Sequence, residues 1–132
     1  MYLQVRIIQD LEGQRVMANR KLYTKVNVKS LSEAGNGEFD LEYYILEKEI
    51  QLDDICVHTY GVEISKVCID EDNVSHKEYR KVFDVFCTKR EAIEVIEKLA
   101  RNTVTPISLL DVLENLIGTG DLINEEASFE AV

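Results

Sequence analysis

Between Cys87 and Gly118 the apolar residues fall into two helical stripes, separated by the only proline of the chain. Those stripes need a surface to lie on, and this limits what the rest of the sequence can become. Thr88-Lys89-Arg90-Glu91 fits a capping box, in which the Thr88 hydroxyl accepts the N–H of Glu91 and the Glu91 side chain reaches back to the N–H of Thr88. Ala92, Ile93, Ile96, Leu99 and Ala100 then recur at three- and four-residue steps, with Val95 at the border. That is the period of one buried helix face. Glu94/Lys98 and Glu97/Arg101 stand on the outer face in the favourable Glu-before-base order.

Asn102 suits the left-handed residue that ends a helix. Thr105 precedes Pro106 and is pushed toward an extended backbone. Pro106 then fits the first helical position with Thr105 as N-cap. Leu109, Leu110, Leu113, Leu116 and Ile117 form the second stripe, widened by Val112, and Gly118 stops it. Burying one large aliphatic side chain contributes roughly 1.5–3 kcal/mol, while ordering each residue costs about 1–2 kcal/mol in backbone entropy. Two such helices alone are marginal, so the residues before Cys87 must form the other layer.

Those residues read as strands. Leu3, Val5 and Ile7 alternate with Gln4 and Arg6. Asp10 to Gln14 has turn composition, and Arg15 to Asn19 fits either strand or loop. Leu22, Thr24, Val26 and Val28 alternate with Lys21, Tyr23, Lys25 and Asn27, the pattern of a half-exposed strand. Ser30 to Asp40 is the most loop-like stretch before the C-terminal tail. Leu41 to Lys48 offers bulk to both faces through Tyr43-Tyr44-Ile45-Leu46, which predicts a central strand, with Glu49 to Asp54 turning after it. Ile55 to Ile69 is β-branched and holds Gly61 mid-run, so it is one long strand with a bulge, or two strands. Asp70 to His76 is a polar turn, and Glu78 to Phe86 is the last strand. Strands first and helices last predict an α+β fold: an antiparallel meander of about 4–6 strands followed by two C-terminal helices packed on one face. Residues 1–118 make one domain, and residues 119–132 read as an acidic, flexible tail in which Leu122, Ile123 and Phe129 are the possible anchors.

The chain carries 25 acidic against 15 basic side chains, and no Lys or Arg follows Arg101. Phosphate neutralisation needs clustered cations, so neither nucleic acid nor an anionic membrane is an expected partner. No apolar run approaches the length of a membrane span, and the N-terminus does not read as a signal peptide. Three widely spaced cysteines without a CxxC pair fit the reducing cytoplasm.

Several residues invite chemistry. Cys56 and His58 share one side of a strand, and Cys68 and His76 follow. Four such donors can hold zinc, but the spacing matches no compact zinc pattern, and thiols are among the most buried side chains. Packed cysteines and a surface histidine are the expectation. A Cys–His nucleophile is the other option, with Cys87 best placed because it lies just before a helix N-terminus; a packing role under the first turn is the plainer reading. Asp70-Glu71-Asp72-Asn73 lacks the Gly and terminal Glu of a calcium loop. Gly35-Asn36-Gly37 is too short for a phosphate loop. A carboxylate pair such as Glu47/Glu49 could serve a glycosidase, but a chain with 25 acidic residues produces such pairs by chance. Tyr43, Tyr44 and Tyr60 belong to the core or a sheet face. We therefore expect no catalytic residue, no cofactor and no metal.

Tyr43-Tyr44-Ile45-Leu46-Glu47, Tyr60-Gly61-Val62-Glu63-Ile64, Glu91 through Leu99 and Thr105-Pro106 through Leu113 together resemble a family of small uncharacterised proteins of clostridia and related Firmicutes. The resemblance spans about residues 41–117. It implies a bacterial intracellular protein and no mechanism. The family pattern often places an Asp late in the last helix, where this chain offers Glu114 and Asn115. The expectation is a non-catalytic, cytoplasmic interaction or regulatory module with a protein partner or as a homodimer. Two alternatives stand beside it: a small-ligand-binding or enzymatic domain with a pocket between sheet and helices, and an acidic decoy for a basic protein surface.

Overall fold

The computed structural model describes residues 3–11, 14–32, 35–117 and 125–131. Strands β1 (Leu3–Leu11), β2 (Gln14–Ser32), β3 (Gly35–Leu52), β4 (Ile55–Ile69) and β5 (Ser75–Phe86) precede helix α1 (Lys89–Arg101). A 3-10 turn (Pro106–Ser108), helix α2 (Leu109–Ile117) and strand β6 (Glu125–Ala131) complete the order. The strands form one sheet in sequence order, every neighbouring pair antiparallel. The fold is the expected α+β meander, with β3 and β4 at its centre.

Three expectations about the strands are corrected. Ser30–Asp40 is not a loop: β2 runs to Ser32 and β3 starts at Gly35, because hairpin pairing supplies what the side-chain pattern lacks. Residues 33–34 lie outside the described residues. Glu49–Leu52 continues β3, and Arg15–Asn19 continues β2 opposite it. The alternation from Leu22 to Val28 is broken by a register shift between Leu22 and Thr24. Leu22 pairs with Tyr44 whereas Thr24 pairs with Tyr43, so the two lie on opposite faces. In place of the flexible tail, Glu125–Ala131 pair with β5, whose outer edge would otherwise leave its N–H and C=O groups without partners. Residues 119–124 lie outside the described residues, as do the side chains of Leu122, Ile123 and Phe129.

The helices pack on one face, as the stripes require. Ala92, Ile96 and Leu99 of α1 and Leu109 and Leu113 of α2 have no exposed surface, and they cluster with Leu41, Tyr43, Ile45, Val62, Ile64, Val82 and Phe86. The Thr88 hydroxyl accepts the Glu91 N–H at 3.2 Å. The return arm of the cap differs from expectation: the same hydroxyl donates to Glu91 Oε1 at 3.1 Å. At the other end Thr103, not Asn102, is left-handed, with φ of 48°. Thr103 N–H bonds Ala100 O and Val104 N–H bonds Leu99 O, a Schellman closure. Asn102 instead turns its side-chain amide onto Lys98 O at 2.8 Å. The Tyr43 hydroxyl, pushed up to about 12 by burial, donates to Val104 O at 2.9 Å and ties the interhelix turn to the central strand. Pro106 opens a 3-10 turn, with Thr105 extended but making no side-chain cap. Leu116 and Ile117 are exposed, so the second stripe ends one turn earlier than its sequence suggests.

The bulge at Gly61 is real, but the extra residues belong to β5. Tyr60 pairs with Phe86 and Val62 with Val82, so Gly61 opposes Phe83, Asp84 and Val85. A Cβ on Gly61 would lie 2.1 Å from Val82 O and 2.9 Å from Phe83 Cα, both backbone atoms that cannot swing aside. Gly61→Ala is expected to cost about 3 kcal/mol, the upper end of overpacking, read as a lowered urea midpoint. Leu113→Asp, which drives a charge into the fully buried α2 contact, should unfold the domain or detach α2. An unchanged melting curve for either variant would contradict the packing described.

Candidate functional site

Beyond the Tyr60–Phe86 pair, β5 turns away toward α1 while β3 and β4 continue together to Leu52 and Ile55. β2 follows β3 along this extension, pairing Gln14–Asn19 with Glu47–Leu52. Among the described residues, β5 pairs with β4 only between Tyr60 and Ile69, so the Ile55–Thr59 segment is an open sheet edge. Asp53, left-handed at φ 54°, turns the tip.

The two faces of the extension differ. Opposite the helices, Ile50 pairs with Val57 and Leu52 with Ile55. Leu52, Ile55 and Val57 are 46%, 64% and 46% exposed. On the other face Glu49 lies directly across from His58, and Cys56 across from Gln51. The Cys56 thiol donates to Glu49 Oε1 at 3.3 Å and lies 3.6 Å from His58 Nε2. These three donor atoms all lie within 4.8 Å of one another. The hydrogen bond to Glu49, then burial, then the negative charge of Glu49 push the Cys56 thiol above its ordinary range.

The sequence-level donors are thus split. Cys56 and His58 come together with Glu49, whose spacing in the sequence pairs it only with Glu47. Glu47 instead accepts from Asn19 at 3.4 Å. Cys68 and His76 face each other across β4 and β5 at the far end of the sheet, about 40 Å of strand away at roughly 3.3 Å per residue. His76 is held by Asp70 at 2.8 Å. The Asp70 carboxylate also accepts the N–H groups of Asp72 and Val74, and His76 with these N–H groups lowers its pKa. It is the organiser of a hairpin turn, as expected of that segment. Cys56 and Cys87 are exposed, which corrects the expectation of packed thiols: one sits past the helices and the other in the β5–α1 link.

Sequence reasoning missed the polar residues on the sheet face away from the helices. Arg20 grips Glu63 with two bonds of 2.8 and 2.9 Å, and Ser65 donates to the same carboxylate at 3.0 Å. The Arg20 guanidinium lies 3.6 Å from the Tyr44 ring centre. Lys48 and Thr59 both bond Asp84. The available signal was the charge itself for Glu63 and Asp84, which each interrupt an apolar run; Arg20, in the polar stretch Asn19-Arg20-Lys21, carried no such signal. Both oxygens of Glu63 are engaged and its side chain is buried, so this network holds the sheet. Between sheet and α1, a depression of about 230 Å³ is lined by Lys21, Tyr23, Ile45, Lys89 and Ile93 among others, smaller than the roughly 300–1,000 Å³ of small-molecule sites.

The model of a family of unknown function, DUF6514, matches residues 23–119. The chain belongs to this family. Its match takes in the β3 and β4 parts of the extension, the Gly61 bulge and both helices, and excludes β1, β2 as far as Leu22, and β6. No curated protein and no solved structure matches the chain. Among the described residues, no helix is long and apolar enough to cross a membrane.

The role of Glu49 in holding the thiol protonated is testable. Glu49→Gln should accelerate iodoacetamide alkylation of Cys56 at pH 7.5, followed by peptide mass spectrometry with Cys87 as internal reference. Equal rates would show that the carboxylate does not govern the thiol.

Proposed function

We propose that this DUF6514 member is a non-catalytic protein-interaction module whose docking element is the open β4 edge at Ile55–Thr59. One observation carries the reading: a strand edge without a neighbour among the described residues, bearing Ile55 and Val57 in the open beside Leu52. Sheet edges of this kind template the addition of another strand. The occupant we favour is an extended segment of a partner protein, with apolar side chains two residues apart to meet Ile55 and Val57. Asp53 and Asp54 at the tip favour basic flanks on that segment. A homodimer through two antiparallel β4 edges is the second reading, favoured by the self-complementarity of edge pairing and opposed by the net charge of −10 on each copy. We place the module in the cytoplasm of clostridia and related Firmicutes. Three free thiols, two of them exposed, support the compartment, and the sequence resemblance supports the source.

The order of residues in the polar cluster supports the non-catalytic reading. A nucleophilic triad needs the imidazole between thiol and carboxylate, whereas here the thiol lies between the other two.

The edge is tested by Ile55→Lys/Val57→Lys, which adds edge charge at exposed positions. Its stability should stay within about 0.5 kcal/mol of the parent. A protein that co-purifies with the parent, or a dimer seen by light scattering, should be lost. Ile107→Lys, at a position 69% exposed on the 3-10 turn, should keep it. Retention by both variants would move the interface elsewhere.

A further inference from the structure

We propose that Glu49, Cys56 and His58 form a binding site for a borderline-soft divalent cation, with zinc the fitting ion. This departs from the expectation of no metal drawn from sequence spacing: the donors are not four along the chain but three brought together across a hairpin. Zinc binds sulfur at about 2.3 Å and nitrogen or oxygen at about 2.0 Å in tetrahedral geometry, which puts neighbouring donors roughly 3.5 Å apart. The Cys56 sulfur stands 3.3 Å from Glu49 Oε1 and 3.6 Å from His58 Nε2. Two edges of the donor triangle therefore already have the right length, and the third is within 4.8 Å.

The placement comes from the ladder. Glu49 and His58 face each other across it, and Cys56 follows two residues before His58 on the same face. Two rungs of the ladder, Glu49–His58 and Gln51–Cys56, fix all three Cα positions, so little ordering is left for the ion to impose. Thiolate and imidazole favour zinc over magnesium or calcium, which take oxygen donors. On binding, the sulfur–zinc bond replaces the sulfur–hydrogen bond and the proton passes to solvent. The thiolate and the Glu49 carboxylate then balance the two positive charges. In the adjoining rungs β2 places Met17 opposite Glu49 and Arg15 opposite Gln51; the single charge of Arg15 does not cancel the two negative ones. Three protein donors leave the fourth position for water. Because Cys56 and His58 lie within the open β4 edge, the site adjoins the docking strand, yet it is complete in one chain and needs no partner.

The test uses the full chain, tag-free, reduced and stripped of metal. Cobalt(II) should bind one per chain with a thiolate-to-cobalt charge-transfer band and the intense visible bands of a four-coordinate ion, and zinc should displace it. Zinc should release a proton from the chain and raise its melting temperature. Cys56→Ser should abolish the charge-transfer band, and Cys56→Ser and His58→Ala should each weaken binding by at least about tenfold. Both positions are exposed, and melting of the metal-free variants checks that they fold. Cys68→Ser, at the far end of β4, should change nothing. No charge-transfer band in the parent chain, a band that survives Cys56→Ser, or one lost in Cys68→Ser would overturn the assignment.

Discussion

A carboxylate that cannot be left in an apolar core sets the geometry of this sheet. Asp84 lies midway between Val82 and Phe86, and both of those face the helices. In a regular strand Asp84 would point the same way, between them. The bulge prevents this. Two additional β5 residues are absorbed opposite Gly61, Asp84 takes a left-handed backbone at φ 56°, and its carboxylate reaches Lys48 and Thr59, which lie on the opposite face with Leu46 and Gly61. Asp tolerates that conformation better than most residues. The detour is possible only because Gly61 has no Cβ to strike the Val82 carbonyl. Helix seating, strand register and the polar face thus depend on one close backbone approach.

The second face then becomes sealed as well. Tyr44, Leu46, Glu63 and Ser65 are nearly inaccessible, although no helix lies over them among the described residues. A buried charge without a partner would cost several kcal/mol, and Glu63 avoids this through the two-pronged Arg20 contact and the Ser65 hydroxyl. Such a pair adds little net stability against an apolar substitute, but once present it fixes the register of β2 against β3 and β4. With both faces of the central strands filled, reactive or adhesive groups are left to the parts of the sheet beyond the helices.

What could be read from the sequence follows from which forces are local. Thr88, Glu91 and the stripe from Ala92 to Leu99 encode α1 within a dozen residues, and the structure follows them closely. The central position of Tyr43-Tyr44-Ile45-Leu46 was legible because bulk on both sides of a strand has no other use. Strand ends were not legible. Ser30–Ser32 and Gly35–Asp40 have loop composition, yet across the hairpin Gly35–Gly37 pair with Ser30–Ser32 and Glu38–Asp40 with Asn27–Lys29, and pairing of this kind leaves no periodicity to detect. The Leu22–Thr24 register shift was hidden for the same reason: alternation continues in the text of the sequence while the chain changes face. The Glu49–Cys56–His58 cluster depends on how β3 and β4 align, and an offset of one residue would have sent its members to opposite faces.

The length of β3 and β4 is the strongest structural reason to look for function at their far end. Packing α1 and the 3-10 turn requires the strands only as far as Tyr60 and Phe86, where the apolar cluster closes. Glu47–Leu52 and Ile55–Thr59 bury little against the helices, yet the chain spends them as regular strand and leaves Ile55, Val57 and Leu52 in solvent. A sequence shaped by stability alone would end the hairpin earlier or place Lys or Pro on the exposed edge. Here the same five β4 residues carry two aliphatic side chains toward one face and a thiol and an imidazole toward the other. An edge that offers main-chain hydrogen bonds, two exposed aliphatic side chains and a thiol beside an imidazole within one short segment is the feature that supports the proposed recognition surface.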